Sequence, residues 1–138
     1  MFERLERGIF THSAEETMAL AYDLAPLIPQ EACIGLTGDL GTGKTTFAKG
    51  LGRAWHITDS MTSPSYNLFL LYKGDRTILH VDAYRLTPDM WPSLYVESFL
   101  QKPYCLLVEW PQNAPSIALT FNLLFTIDGL RHHIRLLK

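Results

Sequence analysis

Among the 138 residues of the chain, the stretch from Gly35 to Phe47 (GLTGDLGTGKTTF) constrains the fold most. Glycines 38 and 43 frame Asp39, Leu40, Gly41 and Thr42, and Lys44, Thr45 and Thr46 follow directly. This is the spacing Gly-x-x-x-x-Gly-Lys-Thr. Its backbone is free to turn where other residues cannot, and it lines up successive N–H groups as a concave nest for anionic oxygens. The apolar run Ala32–Thr37 before it reads as a short buried strand, and Phe47, Leu51 and Ala54 after it fall at helical spacing. Strand, loop and helix in that order is the setting such a loop requires, because the helix's first turn adds unpaired N–H groups and a partial positive charge. Lys44 then brings a mobile cation to the outer phosphates of a nucleotide, and the Thr45 hydroxyl can ligand magnesium. The nucleotide-binding residues expected from the loop are Gly38, Asp39, Leu40, Gly41, Thr42, Gly43, Lys44, Thr45 and Thr46.

A chain of this length is expected to form one domain, and with 47% apolar residues it can bury a core. Its 14 acidic and 12 basic residues give a net charge of −2, which is no footprint for tight nucleic-acid binding by the chain alone. The longest apolar runs are too short to span a bilayer, and the N-terminus lacks an uninterrupted signal-peptide core, so a cytoplasmic protein without a membrane role is expected. Cys33 and Cys105 lie in apolar strand patterns and read as reduced, buried thiols.

Ser13 and Glu16 form the pattern of a capping box, and apolar residues at helical spacing follow, predicting a helix over 14–28. Residues 66–72 and 77–82 read as strands joined by a hairpin connection, and 104–110 as a strand ended by Pro111. Two prolines predict a loop over 87–92, with a short helix over 93–100. Asp128-Gly129 between two apolar runs predicts a hairpin of 119–127 with 130–137. Parallel βαβ character early and hairpins late imply a three-layer α/β domain with a mixed sheet.

Magnesium needs hard oxygen ligands. Two apolar runs, Ile78–Asp82 and Leu106–Glu109, each deliver a carboxylate at a strand's C-terminal end, the edge where open α/β sheets bind ligands. One of Asp82 and Glu109 is expected to hold the metal and the other to orient the attacking water or share the metal. Which does which is open. His80 shares a strand face with Asp82 and reads either as an orienting group or as a structural histidine. Trp110, next to Glu109, is expected on the opposite face, in the core or against a partner. Arg85 reads as a phosphate contact or a surface salt bridge. His132 and His133 point to opposite faces of their strand, which argues against a shared ligand role.

The class of nucleotide enzyme follows by elimination. No asparagine is followed by lysine, so the guanine-reading Asn-Lys-x-Asp segment is absent and ATP is favoured over GTP. A small-molecule kinase usually has an arginine-rich lid, and the middle of the chain offers only Arg76 and Arg85. ATP hydrolysis coupled to a partner is the preferred reading. A small-molecule kinase and a nucleotide-binding interaction module without turnover are the alternatives.

The ordered segments GDLGTGKTTF, SPSYNL, HVDAYRL and VEWP resemble the TsaE (YjeE) family of bacterial tRNA threonylcarbamoyladenosine biosynthesis. The resemblance spans most of the chain, from Ser13 to Pro111. It implies a P-loop fold, a weak ATPase using ATP and magnesium, and work alongside TsaB and TsaD homologues in threonylcarbamoylation of adenosine 37 in ANN-decoding tRNAs, with tRNA contacted only through the complex. It implies Lys44, Asp82 and Glu109 as the residues of activity, Thr45, Asp82 and Glu109 at the metal, residues 62–64 as a switch-like loop near the γ-phosphate, and Thr11 and Ser13 near the adenine. The chain departs from the family at Thr42, Ser65 and Ala83, where Ala, Thr and Leu are usual, and more widely over 87–103. A C-terminal extension seen in some relatives is expected to be missing after Lys138.

Overall fold

The apolar runs between the chain's turn signals pair into one sheet. The computed structural model describes residues 1–64, 68–94 and 96–137. Its strands are β1 (Ile9–Thr11), β2 (Glu31–Thr37), β3 (Phe69–Lys73), β4 (Thr77–Asp82), β5 (Tyr104–Glu109), β6 (Phe121–Asp128) and β7 (Arg131–Leu137). They lie in the order β1-β7-β6-β2-β5-β4-β3. The central β6, β2, β5 and β4 are mutually parallel, and antiparallel pairs close both sides, β3 on β4 and β7 between β6 and β1. The mixed sheet expected from the sequence is therefore present. The proposed start of the strand at Tyr66, and Ser65, lie outside the described residues.

Side chains alternate between two cores. Ile34, Leu36, Ile78, Leu107 and Phe125 face the α-helices α1 (Phe2–Arg7), α2 (Ala14–Leu24) and α3 (Lys44–Ala54), where Leu5, Leu24, Phe47 and Leu51 meet them fully buried. Each such Leu, Ile or Phe contributes about 1.5–3 kcal/mol by leaving water. Helices α2 and α3 pack closely because Gly50 has no side chain: a Cβ there would sit 2.5 Å from the Met18 carbonyl oxygen. Cys33, Leu79, Val81, Leu106 and Val108 face the other way. That third layer consists of 3₁₀ segments, Pro88–Leu94 and Val96–Phe99, with Trp91 and Val96 buried against the sheet. Cys33 and Cys105 lie on opposite faces of neighbouring strands, so they cannot bond to each other, and burial pushes both thiols up to about 12.

Three expectations are corrected. The helix predicted over 14–28 is α-helical only to Leu24, because Pro26 has no N–H to continue it and the chain tightens into a 3₁₀ turn over Ala25–Leu27. The stretch 87–92 is not irregular, since Pro88 opens a 3₁₀ segment with its φ already set. The short helix expected over 93–100 is a 3₁₀ turn at Val96–Phe99. The Ser13 half of the capping box forms, with Glu16 N–H donating to Ser13 Oγ at 3.1 Å, while the Glu16 carboxylate accepts from the N–H of His12, one residue before the cap, at 3.1 Å.

Arg76 is buried, which removes it as a lid arginine. Its guanidinium donates to the carbonyls of Ile28 (3.1 Å), Tyr104 (2.7 Å) and Pro29, and stacks 4.5 Å from the Trp55 ring centroid. Those carbonyls belong to the turn entering β2 and to the first residue of β5, so the contact ties down the edge of the sheet opposite the phosphate loop. Arg76→Ala strands these acceptors and is expected to cost about 2–4 kcal/mol in urea unfolding. Arg76→Lys should recover only part of this, because an ammonium lacks the planar fork. Wild-type stability in Arg76→Ala would refute the role.

Candidate nucleotide site

Strand β2 runs into Gly38, and α3 begins at Lys44 with Gly43 as its cap. Gly43 has φ of 106°, in the region that favours glycine. The first intrahelical bond is from Phe47 N–H to the Gly43 carbonyl at 2.9 Å, so the N–H groups of Lys44, Thr45 and Thr46 have no helical partner. The first turn carries no acid, leaving its dipole free for an anion. Gly41, Gly43, Lys44, Thr45 and Thr46 line a cavity of about 340 Å³, together with Leu40, Ser63, Glu109 and His132. The loop is braced from within and from outside. The Thr42 hydroxyl donates to the Asp39 carbonyl at 2.7 Å, and His132 Nδ1–H donates to the Thr42 carbonyl at 2.9 Å. Threonine at 42 thus adds a hydrogen bond that an alanine there could not make.

His132 is the site residue that sequence reasoning missed. Its place depends on β7 pairing beside β6, a neighbourhood that no local pattern announces. Thr11 is its register partner on β1. Thr11 does not line the cavity: it is buried, with its hydroxyl 2.7 Å from that of Thr17.

The two carboxylates come together. Asp82 and Glu109 are register partners at the C-terminal ends of β4 and β5, so their side chains share the face that carries α3. Glu109 is buried between Lys44 and His80. Its Oε1 lies 3.3 Å from Lys44 Nζ, which also donates to the Gly38 carbonyl, and its Oε2 lies 2.7 Å from His80 Nε2. The ring and the carboxylate meet off the line of a hydrogen bond, and His80 Nδ1 has no partner among the described residues. Burial pushes the Glu109 carboxyl up, but His80 and Lys44 outweigh it and hold it below the usual glutamate range. Asp82 is half-buried, and its Oδ1 accepts from Tyr84 N–H at 3.0 Å. With Leu40, Lys44, Ser63 and Glu109 it lines a second pocket of about 540 Å³, which adjoins the first.

Trp110 does not continue the alternation of β5. Its φ of 58° and ψ of 54° are left-handed, at a cost of about 1–3 kcal/mol for a residue with a side chain. The ring is turned to the pocket, 5.0 Å from the Tyr84 ring and 5.8 Å from Lys44 Nζ, while still packing on the second core. Of the switch-like loop, Ser63 reaches both pockets and Thr62 N–H donates to the Tyr72 hydroxyl at 3.1 Å.

A glycine loop feeding a helix from the central strand of a mixed sheet, with acids on the neighbouring strand ends, defines a P-loop NTPase fold. The family model described as "Threonylcarbamoyl adenosine biosynthesis protein TsaE" matches residues 11–135, and the chain belongs to that family. It is 35% identical to the TsaE of a Nostoc species over 86% of this chain and 76% of that protein. It is 30% identical to the Treponema pallidum TsaE over 88% and 93%. A crystal structure of Bacillus subtilis YdiB superposes with a TM-score of 0.70 at 27% identity, over 94% of this chain and 82% of that one. Among the described residues no helix is long and apolar enough to cross a membrane, and no group of three or more His, Cys, Asp or Glu forms a ready-made metal cage.

The lowered pKa of Glu109 has a consequence for stability. A carboxyl depressed in the folded state stabilises it fully above its unfolded value, about 4.3, and loses that contribution as pH falls toward the folded value. Thermal melting followed downward from neutral pH should therefore fall more steeply for the wild type than for Glu109→Gln below about pH 4.3. Parallel curves would show that Glu109 is not held ionised by Lys44 and His80.

Proposed function

We propose that the chain binds ATP with magnesium and hydrolyses it slowly, as the nucleotide-driven member of the machinery that threonylcarbamoylates adenosine 37 in ANN-decoding tRNAs, working with TsaB and TsaD homologues. The observation that carries this reading is the buried contact of Lys44 with Glu109 at the mouth of an amide nest, in a chain of the TsaE family. The phosphate tail lies along Gly38–Thr46. Lys44 leaves Glu109 for the outer phosphates, and His80 keeps Glu109 partnered when it does. The donors fit magnesium, which typically takes one or two protein oxygens and completes its shell with phosphate and water. Thr45 and Asp82 are the residues that would hold it, and when bound it neutralises charge on the outer phosphates. Glu109, the third ligand expected from sequence, has one oxygen against the Lys44 ammonium and the other against the His80 ring. Once released by Lys44 its Oε1 is assigned to the attacking water.

In the reaction, the water oxygen bonds to the γ-phosphorus and the bond to the bridging oxygen breaks, its electron pair leaving with ADP. The proton of the water passes by way of Glu109 to phosphate or solvent. The pocket is open beside Tyr84 and Trp110, so water and product exchange freely and a partner docked there would change the rate. Cytoplasmic location follows from that partnership.

Calorimetry and phosphate release test the assignment. Lys44→Ala should weaken ATP binding at least about tenfold, since a charge-assisted contact of about 1.5–3 kcal/mol is lost. Glu109→Gln should keep binding within a few-fold and slow hydrolysis by about 100-fold or more. Full activity in Lys44→Ala would sink the phosphate role. Phosphate transferred from ATP to a metabolite would favour a kinase, and binding without any release would favour an interaction module. Adding the TsaB and TsaD homologues should alter the release rate; an unchanged rate and no co-purification would remove the partnership.

A further inference from the structure

The chemistry above leaves one side chain of the same pocket without a task. Arg85 lines the 540 Å³ pocket beside Lys44, Asp82 and Glu109. It is exposed, and among the described residues its guanidinium makes no hydrogen bond or ion pair, so the surface salt bridge left open by the sequence is not formed there. Its backbone surroundings are tied down. Tyr84 N–H donates to Asp82 Oδ1 at 3.0 Å, and Asn113 Nδ2 donates to the carbonyls of Ala83 (2.9 Å) and Tyr84 (3.2 Å). Ala83 N–H donates to the Glu109 carbonyl at 3.0 Å, and Leu86 N–H to the Ala83 carbonyl at 3.0 Å. The turn over 82–86 is clamped to the ends of β4 and β5, and it presents a long cationic arm at the pocket.

Charge says what that arm is for. Lys44 is the only cation of the phosphate loop, and Asp82 and Glu109 oppose it. Transfer of the γ-phosphoryl group spreads negative charge over its equatorial oxygens and the leaving oxygen, beside two carboxylates. We propose that Arg85 is a catalytic arginine supplied by the chain itself, contacting the γ-phosphate oxygens as the bond to ADP breaks. The inference rests on the ATPase reading above. Arg85 exchanges no proton and forms no bond. Its planar fork matches two phosphate oxygens at once, which a lysine ammonium cannot do.

The test is Arg85→Ala and Arg85→Gln in steady-state phosphate release with magnesium-ATP, together with retention of ADP in the presence of aluminium fluoride, a mimic of the transferring group. Expected is a fall in kcat of at least about tenfold, with KM and ADP affinity within a few-fold of wild type and trapping of ADP–aluminium fluoride lost. Arg85→Lys should fall between. An unchanged kcat overturns the proposal, as does a rise in KM with kcat preserved, which marks a ground-state contact. Lost ADP affinity together with a lowered melting temperature in both Arg85→Ala and Arg85→Gln also overturns it, by making the residue structural. A wild-type chain that releases no phosphate sinks the ATPase reading itself, whereas a wild type that does, matched by Arg85→Ala, sinks only the role of Arg85.

Discussion

A lysine ammonium buried at the head of a helix must have a negative partner, and the site is organised around the one it has. The side chains of Lys44 and Glu109 are each only 7% exposed. Either charge left alone there would cost several kcal/mol in lost hydration. Lys44 can therefore exchange Glu109 for a phosphate only if Glu109 keeps a partner of its own, and His80, fully buried 2.7 Å away, is that partner. In the proposed reaction the three side chains form a line along which filling the loop at one end frees a carboxylate oxygen beside it. A loop lysine facing solvent would bind phosphate without any such coupling.

The sheet makes this line possible. Pairing of β2, β5 and β4 sets Leu36 beside Glu109 and Glu109 beside Asp82, so the end of the loop's own strand and both acids stand at one edge. Parallel register then puts His80, Asp82 and Glu109 on the face carrying α3. The strained turn at Trp110 closes the arrangement by bringing an aromatic ring back over Lys44 from a strand whose next side chain would otherwise face away. Pro111, which opens the following 3₁₀ turn, holds the chain in that path.

What could be read from the sequence was what is local in it. The phosphate loop, the Ser13–Glu16 cap and the Asp128-Gly129 hairpin each depend on residues a few positions apart, and each stands as expected. Period-two alternation placed His80 and Asp82 on one face. One residue past Glu109 it told part of the story: Trp110 packs on the opposite core as expected, but outside the strand its ring also reaches the pocket. Pro26 shortened a helix whose apolar spacing runs on past it. Helix α1 and strand β1 were not anticipated, since the alternating charges of Met1–Phe10 become ordered only by packing on β7, at the far end of the chain. His132 was hidden for the same reason, and the pairing of His80 with Glu109 required knowing that β4 and β5 are neighbours.

The metal side of the site follows from how little of it is protein. Among the described residues no acidic cluster could hold a divalent cation unaided. Asp82 has spent one oxygen on the Tyr84 amide, and Glu109 has one oxygen against Lys44 and the other against the His80 ring. Magnesium holds its water tightly, so in the proposed reaction Thr45 and Asp82 would hold it only with phosphate oxygens beside them. Loop, metal and freed carboxylate are then assembled by the nucleotide itself. A site of that kind stays idle when empty, and its rate is open to any partner that shifts the balance between Lys44 bound to Glu109 and Lys44 bound to phosphate.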